Sequence, residues 1–391
     1  MRLKAISSSQ GKLISISLAH LFNDSYINYI QTLLPFLVAT GLGISKGSFL
    51  VAAFTITSSV LQPVFGYLVD QQNQRWMVYV GTLWMAMLIS LIGVVEAYPL
   101  LVILAAFSGL GTAAFHPQAS AMIAAISGEK KGLFQSVFVA AGNVGSALTP
   151  LVVIPFILMY GLKATPFFAI PGIFVAILLW FYAPKAQLVA RVSPPPLLSV
   201  LRPVWVALAK IVLVVALRSL AYFGLIAFLP LYLQSKDIPL IIGGQMVFIF
   251  LFAGAIGGLI GGYLSDLFGR RAIIVGSLVI ASPLFYLFLN SNGLLSYIIL
   301  ALAGAALLSS FSVTIVAAQE VISKNAAMAS GLMLGFGVGI GGLGVGLVGL
   351  VAEHISLAYA ISVLIWLPLC AGLVGLTIAE QKSSLYTSVN S

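Results

Sequence analysis

The sequence predicts an all-α membrane protein, with twelve transmembrane helices in two pseudo-symmetric six-helix bundles and both termini in the cytoplasm. Three observations carry that expectation. Of 391 residues, 61% are hydrophobic and only 7% charged, a balance found in membrane proteins and not in soluble chains of this length. The apolar residues fall into twelve runs near the ~20 residues that cross a bilayer. Finally, one loop occurs twice, as Gly66-Tyr67-Leu68-Val69-Asp70 ending at Arg75, and as Gly262-Tyr263-Leu264-Ser265-Asp266 running on through Gly269-Arg270-Arg271. The second copy lies half a chain after the first, and Pro35 and Pro230 keep nearly the same register. The expected division is residues 1–184, a cytoplasmic linker 185–203, and residues 204–391.

The net charge of +9 reads as topology. Taking alternate polar breaks as one side, that side collects Arg2, Lys4, Lys12, Arg75, Lys130, Lys131, Lys185, Arg191, Arg202, Lys210, Arg270, Arg271, Lys324 and Lys382, against Lys46, Lys163 and Lys236 on the other. An excess of Lys and Arg marks the cytoplasmic side, so the basic balance is an orientation signal that puts both termini in the cytoplasm and implies no nucleic-acid partner; a multi-pass protein of the plasma (inner) membrane is expected. Cys370 is the single cysteine, which excludes a disulfide framework and a thiolate metal cluster. No metal and no cofactor are expected. The basic amino terminus runs into a polar-interrupted apolar stretch without a small-residue cleavage site, so it reads as a first span and not as a removable signal.

Span one, about 12–40, is the most polar. His20, Asp24, Asn28 and Gln31 recur every three or four residues and so share one helix face. An ionised Asp at mid-span costs roughly 2.5 to 3.5 kcal/mol on insertion scales, a sizeable fraction of the ~5 to 15 kcal/mol that stabilises a fold. Such a residue points to function, with a structural hydrogen-bonded carboxyl as the alternative. Spans two (48–69) and three (76–95) flank the first loop, and Glu96 reads as a solvated rim charge. Span four (100–126) carries a second polar stripe of Ser108, Thr112, His116 and Ser120. Within it Phe115-His116-Pro117-Gln118 is expected to break the helix, because proline lacks an N–H.

Span five carries Gln135, Asn143 and Ser146 beside Gly142 and Gly145. The glycines read as packing residues, and Asn143 as either helix glue or a cargo contact. Lys185, Arg191, Pro194-Pro195-Pro196 and Arg202 make a semi-rigid linker. Span seven (204–233) carries Arg218 with Tyr222 one turn on. Arg218 stands roughly 22 Å along the helix from the cytoplasmic start, too far to snorkel, so it needs an anion or an aqueous cavity. Spans eight to ten repeat the plan of two to four, with Gln319-Glu320 closing span ten. The Gly337-x-Gly339-x-x-Gly342 spacing in span eleven is a formal dinucleotide fingerprint, but no strand precedes it and glycine-rich membrane helices generate it trivially. Glu353 and His354 precede span twelve (357–379), and the tail from Glu380 is polar.

Two six-helix halves, a central linker and G-x-L-x-D-x-x-G-R-R between spans eight and nine resemble the major facilitator superfamily. That resemblance implies that the loop clamps cytoplasmic helix ends, with roles falling on Gly262, Asp266, Gly269, Arg270 and Arg271, and on Gly66, Asp70 and Arg75. The first copy departs from the pattern, having Asn73 for Gly and Gln74 for a base. A narrower resemblance, to the fosmidomycin-resistance branch of drug efflux proteins, rests on His20-Leu21-Phe22-Asn23-Asp24, Leu33-Leu34-Pro35, Leu61-Gln62-Pro63-Val64-x-Gly66, Phe115-His116-Pro117, Gly142-Asn143-x-Gly145-Ser146, Ala318-Gln319-Glu320 and Gly341-Gly342-Leu343-Gly344. Gln118 stands where that branch commonly has Glu.

The resulting expectation is a proton-coupled antiporter that exports a small, anionic organic compound such as a phosphonate antibiotic by alternating access, working as a monomer in the bilayer. Asp24 would exchange the proton, sharing it with His20 or His116. Arg218, Tyr222, Asn28, Gln31, Gln118 and Asn143 would meet the cargo. The alternative is a proton symporter importing an organic acid. An enzyme is not expected: no H-E-x-x-H, paired carboxylates or phosphate-cradling loop occurs.

Overall fold

The computed structural model describes residues 9–71, 74–127, 131–184, 202–322, 329 and 332–379. The chain folds as two compact units, Met1–Val192 and Ser193–Ser391. Most of the linker expected at 185–203, including Pro194-Pro195-Pro196, lies outside the described residues.

The first unit holds α1 (Ser9–Ile27), α2 (Tyr29–Ala39), α3 (Ile44–Val60), α4 (Gln62–Gln71), α5 (Trp76–Ser90), α6 (Tyr98–Ile126), α7 (Lys131–Tyr160) and α8 (Ala169–Tyr182). The second holds α9 (Trp205–Gln234), α10 (Leu240–Phe268), α11 (Arg270–Leu289), α12 (Gly293–Val321), a π-helical turn at Leu332–Gly337, α13 (Val338–His354) and α14 (Leu357–Gly375). Among the described residues, eleven segments are helical, long and apolar enough to cross a membrane. The segment made by α1 and α2 is not among them. It carries His20, Asn23, Asp24, Asn28 and Gln31 and is interrupted at Asn28, so its place in a bilayer must depend on neighbours that take up those polar groups.

Within the first unit α1 packs on α7, α3 and α5 both pack on α6, and α5 packs on α8. The second unit repeats these pairings: α9 on α13, α10 and α11 on α12, and α11 on α14. The twofold loop repeat in the sequence thus extends to helix packing. In unit one the apolar contact runs through Ile16, Ala19, Phe115, Met122, Phe138, Val175 and Leu179, which ties α1, α6, α7 and α8 into one block.

The break expected at Phe115-His116-Pro117-Gln118 does not occur. Pro117 sits inside a continuous α6. Its ring removes one backbone hydrogen bond, but α3, α5 and α7 hold the helix on several sides, and helices so packed tolerate proline. The interruptions fall instead at Asn28, at Leu61 ahead of Gln62-Pro63, and at the π turn that opens the glycine-dense α13.

Candidate functional site

Unit one concentrates its buried polar chemistry where α1, α6 and α7 meet. Asp24 lies one turn beyond His20 on α1, and the His20 Nε2 is 3.2 Å from Asp24 Oδ2. His116, from α6, brings its Nε2 to 3.5 Å from the other oxygen, Oδ1. The three side chains are only 7%, 14% and 20% exposed for His20, Asp24 and His116. His20 is held twice by Phe138 of α7. Its ring stacks on the Phe138 ring at a centroid distance of 3.9 Å, and its Nδ1 lies 2.7 Å from the Phe138 carbonyl.

That last contact fixes the chemistry of the cluster. A carbonyl only accepts, so His20 Nδ1 must carry the hydrogen and donate it. In a neutral imidazole the Nε2 would then be a bare lone pair facing a carboxylate oxygen. Two lone pairs do not settle at 3.2 Å in a buried site, so an electrophile belongs between His20 and Asp24, and a proton is the simplest one.

Gly142 of α7 forms one wall. A Cβ added there would stand 2.5 Å from Asp24 Oδ2 and 2.6 Å from His20 Cε1, so only glycine lets α7 approach the pair this closely. The same helix stitches α1 in place. Ser146 Oγ donates to the Asp24 carbonyl at 3.2 Å, Thr149 Oγ1 to the Ser25 carbonyl at 2.8 Å, and Ser25 Oγ to the Gly145 carbonyl at 3.1 Å.

The other polar residues expected to meet cargo in this unit divide. Asn28, 1% exposed, donates its Nδ2 to the Ser146 carbonyl at 3.4 Å, while its Oδ1 has no partner. Gln31 and Gln118 are essentially fully buried, and neither amide has a hydrogen bond from either end. Tyr29, which the sequence did not single out, is likewise buried with an unpartnered hydroxyl. Asn143, by contrast, is exposed. Buried amides left unsatisfied each cost about 1 to 3 kcal/mol, so these positions suit a bound polar molecule better than apolar packing.

In unit two, Arg218 is the largest fully buried side chain, at 2% exposure. Its Nη1 donates to Thr314 Oγ1 at 3.2 Å, and the guanidinium lies over the Phe311 ring at 4.7 Å. Among the described residues no carboxylate pairs with it. One hydroxyl and one ring face, worth about 2 kcal/mol when desolvated, do not offset the several kcal/mol of burying a cation. Tyr222, one turn on, is half-buried with its ring 6.0 Å from that of Phe250.

The second signature loop forms a charge cluster where α10 turns into α11. Arg270 Nη1 donates to Asp266 and, at 2.7 Å, to Ser265 Oγ, and its Nε donates to Glu320 Oε1 of α12 at 3.2 Å. Arg271 is half-buried and makes no ion pair among the described residues. Gly269 carries φ 91°, a value most side chains resist. Gly269→Ala is therefore expected to lower stability by roughly 1 kcal/mol, read as a fall in Tm in detergent. An unchanged Tm would show that the turn relaxes.

In the first loop Asp70 falls in α4, but its side chain lies outside the described residues. Among the described residues Arg75 pairs with no carboxylate, and its Nη2 donates to the Trp180 carbonyl at 2.9 Å, at the end of α8. Gly66 is not needed for close approach, since an added Cβ would meet only Pro117 at 3.8 Å, and at Gly262 it would meet the Ser312 Oγ at 3.3 Å. The close crossing on α12 belongs to Gly261, whose added Cβ would strike the Ser309 backbone.

Phe138, Thr314 and Phe311 were missed by sequence reading. Phe138 and Phe311 are ordinary apolar residues of a span, and one acts through its backbone carbonyl. Thr314 was findable as a hydroxyl within an apolar run. Glu320 was legible as a charge at a helix end, without its partner.

Comparison with known proteins follows the same lines. The family model "Major Facilitator Superfamily" matches residues 16–346. The chain is 32% identical over 382 residues to the fosmidomycin resistance protein of Escherichia coli (strain K12), covering 93% of this chain and 91% of that one. It is 30% identical over 384 residues to the uncharacterized MFS-type transporter YfnC of Bacillus subtilis (strain 168), covering 95% and 93%. Among solved structures, a point mutant of the nucleoside transporter NupG superposes with TM-score 0.80 at 11% identity, over 94% of this chain and 99% of that one. A bacterial homologue of the human lysosomal transporter Spinster, inward-facing and occupied, gives 0.73 at 15% identity, over 97% and 96%. At those identities the structures show the fold alone, whereas the family model spans most of the sequence. The chain belongs to the Major Facilitator Superfamily and carries out secondary active transport of a small molecule.

Proposed function

We propose that this protein is a proton-coupled antiporter of the plasma (inner) membrane, exporting a small anionic organic compound by alternating access, with twelve spans and both termini cytoplasmic. The observation that carries the reading is the carboxylate of Asp24 held between two imidazoles in unit one. A buried group that demands a proton between His20 and Asp24 is equipped to take one up and release it. Asn143 adds support, because an exposed amide in the middle of a span avoids lipid unless water reaches it. Water at this face of α7, next to Gly142, gives protons a path to the cluster.

Arg218 supports anionic cargo. Its guanidinium offers a fork of donors suited to carboxylate, phosphate or phosphonate, and in the absence of cargo it is under-compensated. The fosmidomycin resistance protein of E. coli is named for a phosphonate, which makes fosmidomycin the natural first probe. One charge crossing 100 mV supplies about 2.3 kcal/mol, enough for a concentration ratio of about 40-fold. The Arg270–Asp266–Glu320 cluster, in this reading, biases one end of the transport cycle.

Direction is tested with oriented vesicles. With the outer face kept acidic in each case, inside-out vesicles are expected to accumulate fosmidomycin as protons leave their acidic lumen, and right-side-out vesicles in acidic medium are not. Accumulation in right-side-out vesicles alone would make the protein an importer and overturn the export reading.

A further inference from the structure

We propose that the His20–Asp24–His116 cluster is also a binding site for a divalent transition-metal ion of the zinc type. The sequence grouped these three residues around a proton and not around a metal, because how closely the third, from a different helix, approaches the other two is set by packing. Binding rests on geometry alone. That the ion would stop transport rests in addition on the proton-exchange reading above.

The donor set is two imidazole nitrogens and one carboxylate, all within 4.8 Å of one another. In a tetrahedral zinc site, nitrogen and oxygen ligands about 2.0 to 2.1 Å from the ion stand about 3.3 Å apart. His20 Nε2 stands 3.2 Å from Asp24 Oδ2, close to that edge, while His116 Nε2 stands 3.5 Å from the other oxygen, Oδ1, so a turn of the carboxylate is needed to present one oxygen to both. The remaining edge, between the two histidine nitrogens, lies within 4.8 Å, and His116, the most exposed of the three, is the one best able to adjust it.

The hydrogen bond that would orient such a ligand is already in place at His20. Histidines that bind metal commonly donate their other ring N–H to a carbonyl or carboxylate, which fixes the tautomer and aims the free nitrogen. His20 does so through Nδ1 and the Phe138 carbonyl, and its Nε2 points at the carboxylate. The absence of a side chain at Gly142 keeps that wall of the triangle clear. Imidazole and carboxylate together select Zn2+ or Co2+ over the oxygen-seeking Mg2+ and Ca2+ and over thiolate-seeking Cu+. The three protein ligands leave a fourth position for water, as in open zinc sites. An ion there satisfies the electron pairs that otherwise require a proton, so the two compete for one place.

The test uses the full chain in detergent, purified through a tag without histidine and titrated with CoCl2. The chain has three histidines and one cysteine, so competing sites are few. One equivalent of Co2+ is expected to bind with the intense visible absorption of a four-coordinate nitrogen–oxygen site, and Zn2+ is expected to abolish it. His116→Gln is expected to weaken Zn2+ binding by about 100-fold, and His354→Gln, at an exposed helix end, to leave it unchanged. Absence of a visible band on the wild-type protein at saturating Co2+ overturns the proposal whether or not the variants fold, as does equal binding by His116→Gln.

Flux in liposomes separates this from the transport reading. Zn2+ bound at one equivalent and stopping flux supports both. Binding that leaves flux unchanged upholds the metal site and contradicts proton exchange at Asp24, while flux that depends on Asp24 in a protein binding no metal overturns the metal site alone.

Discussion

Asp24→Asn is expected to collapse fosmidomycin accumulation in inside-out vesicles from as much as about 40-fold to about unity, while cargo-for-cargo exchange continues. Asparagine keeps the size of the side chain and can still hydrogen-bond to His20 and His116, whose nitrogens lie 3.2 and 3.5 Å from the carboxylate, so folding and insertion should survive. It cannot bind and release a proton. Separating exchange from accumulation matters, because an equal loss of both would mark a collapsed fold. A variant that still concentrates cargo against the gradient would make Asp24 a structural carboxyl, bridging α1 and α6 and nothing more.

The second large effect belongs to Arg218. Arg218→Ala is expected to weaken binding of anionic cargo by about 10- to 100-fold, the value of one or two hydrogen bonds from a charged donor. Neutral analogues of the same size should lose far less. Arg218→Lys should restore part of the affinity, as it keeps the charge without the fork. The prediction follows from burial: a cation 2% exposed whose partners are the Thr314 hydroxyl and the Phe311 ring has donor capacity left over for a ligand. Isothermal titration with phosphonate and neutral probes checks it, and an equal loss for both would show that the arginine shapes the unit without touching the anion.

How much of this was legible beforehand varied with the kind of interaction. Helix positions followed from apolar run length. The His20–Asp24 contact followed from their four-residue spacing, since residues one turn apart face each other. His116 was expected to share a proton with Asp24 on its chemistry, but its 3.5 Å approach depends on how α6 and α7 pack against α1, which spacing does not encode. Gly142 was read as a packing glycine, and it is one. What the sequence hid is that the atoms packed against it are those of Asp24 and His20.

Pro117 misled because the rule for proline describes an isolated helix, whereas neighbouring helices hold α6 continuous. Arg75 was given a clamping role from the loop repeat; its described contact is to the Trp180 carbonyl at the end of α8, and the Asp70 side chain lies outside the described residues. A backbone acceptor of this kind leaves no periodic signal. The second loop kept both its motif and its ion pairs, with Glu320 added from α12.

The central claim, that cargo binding and proton occupancy at Asp24 exclude one another, is tested most directly by following pH in a lightly buffered detergent solution of the purified protein as fosmidomycin is added. About one proton released per cargo bound by the wild type, and none by Asp24→Asn, is the expected result. Saturable fosmidomycin binding with no proton released, or the same release from Asp24→Asn, would contradict it.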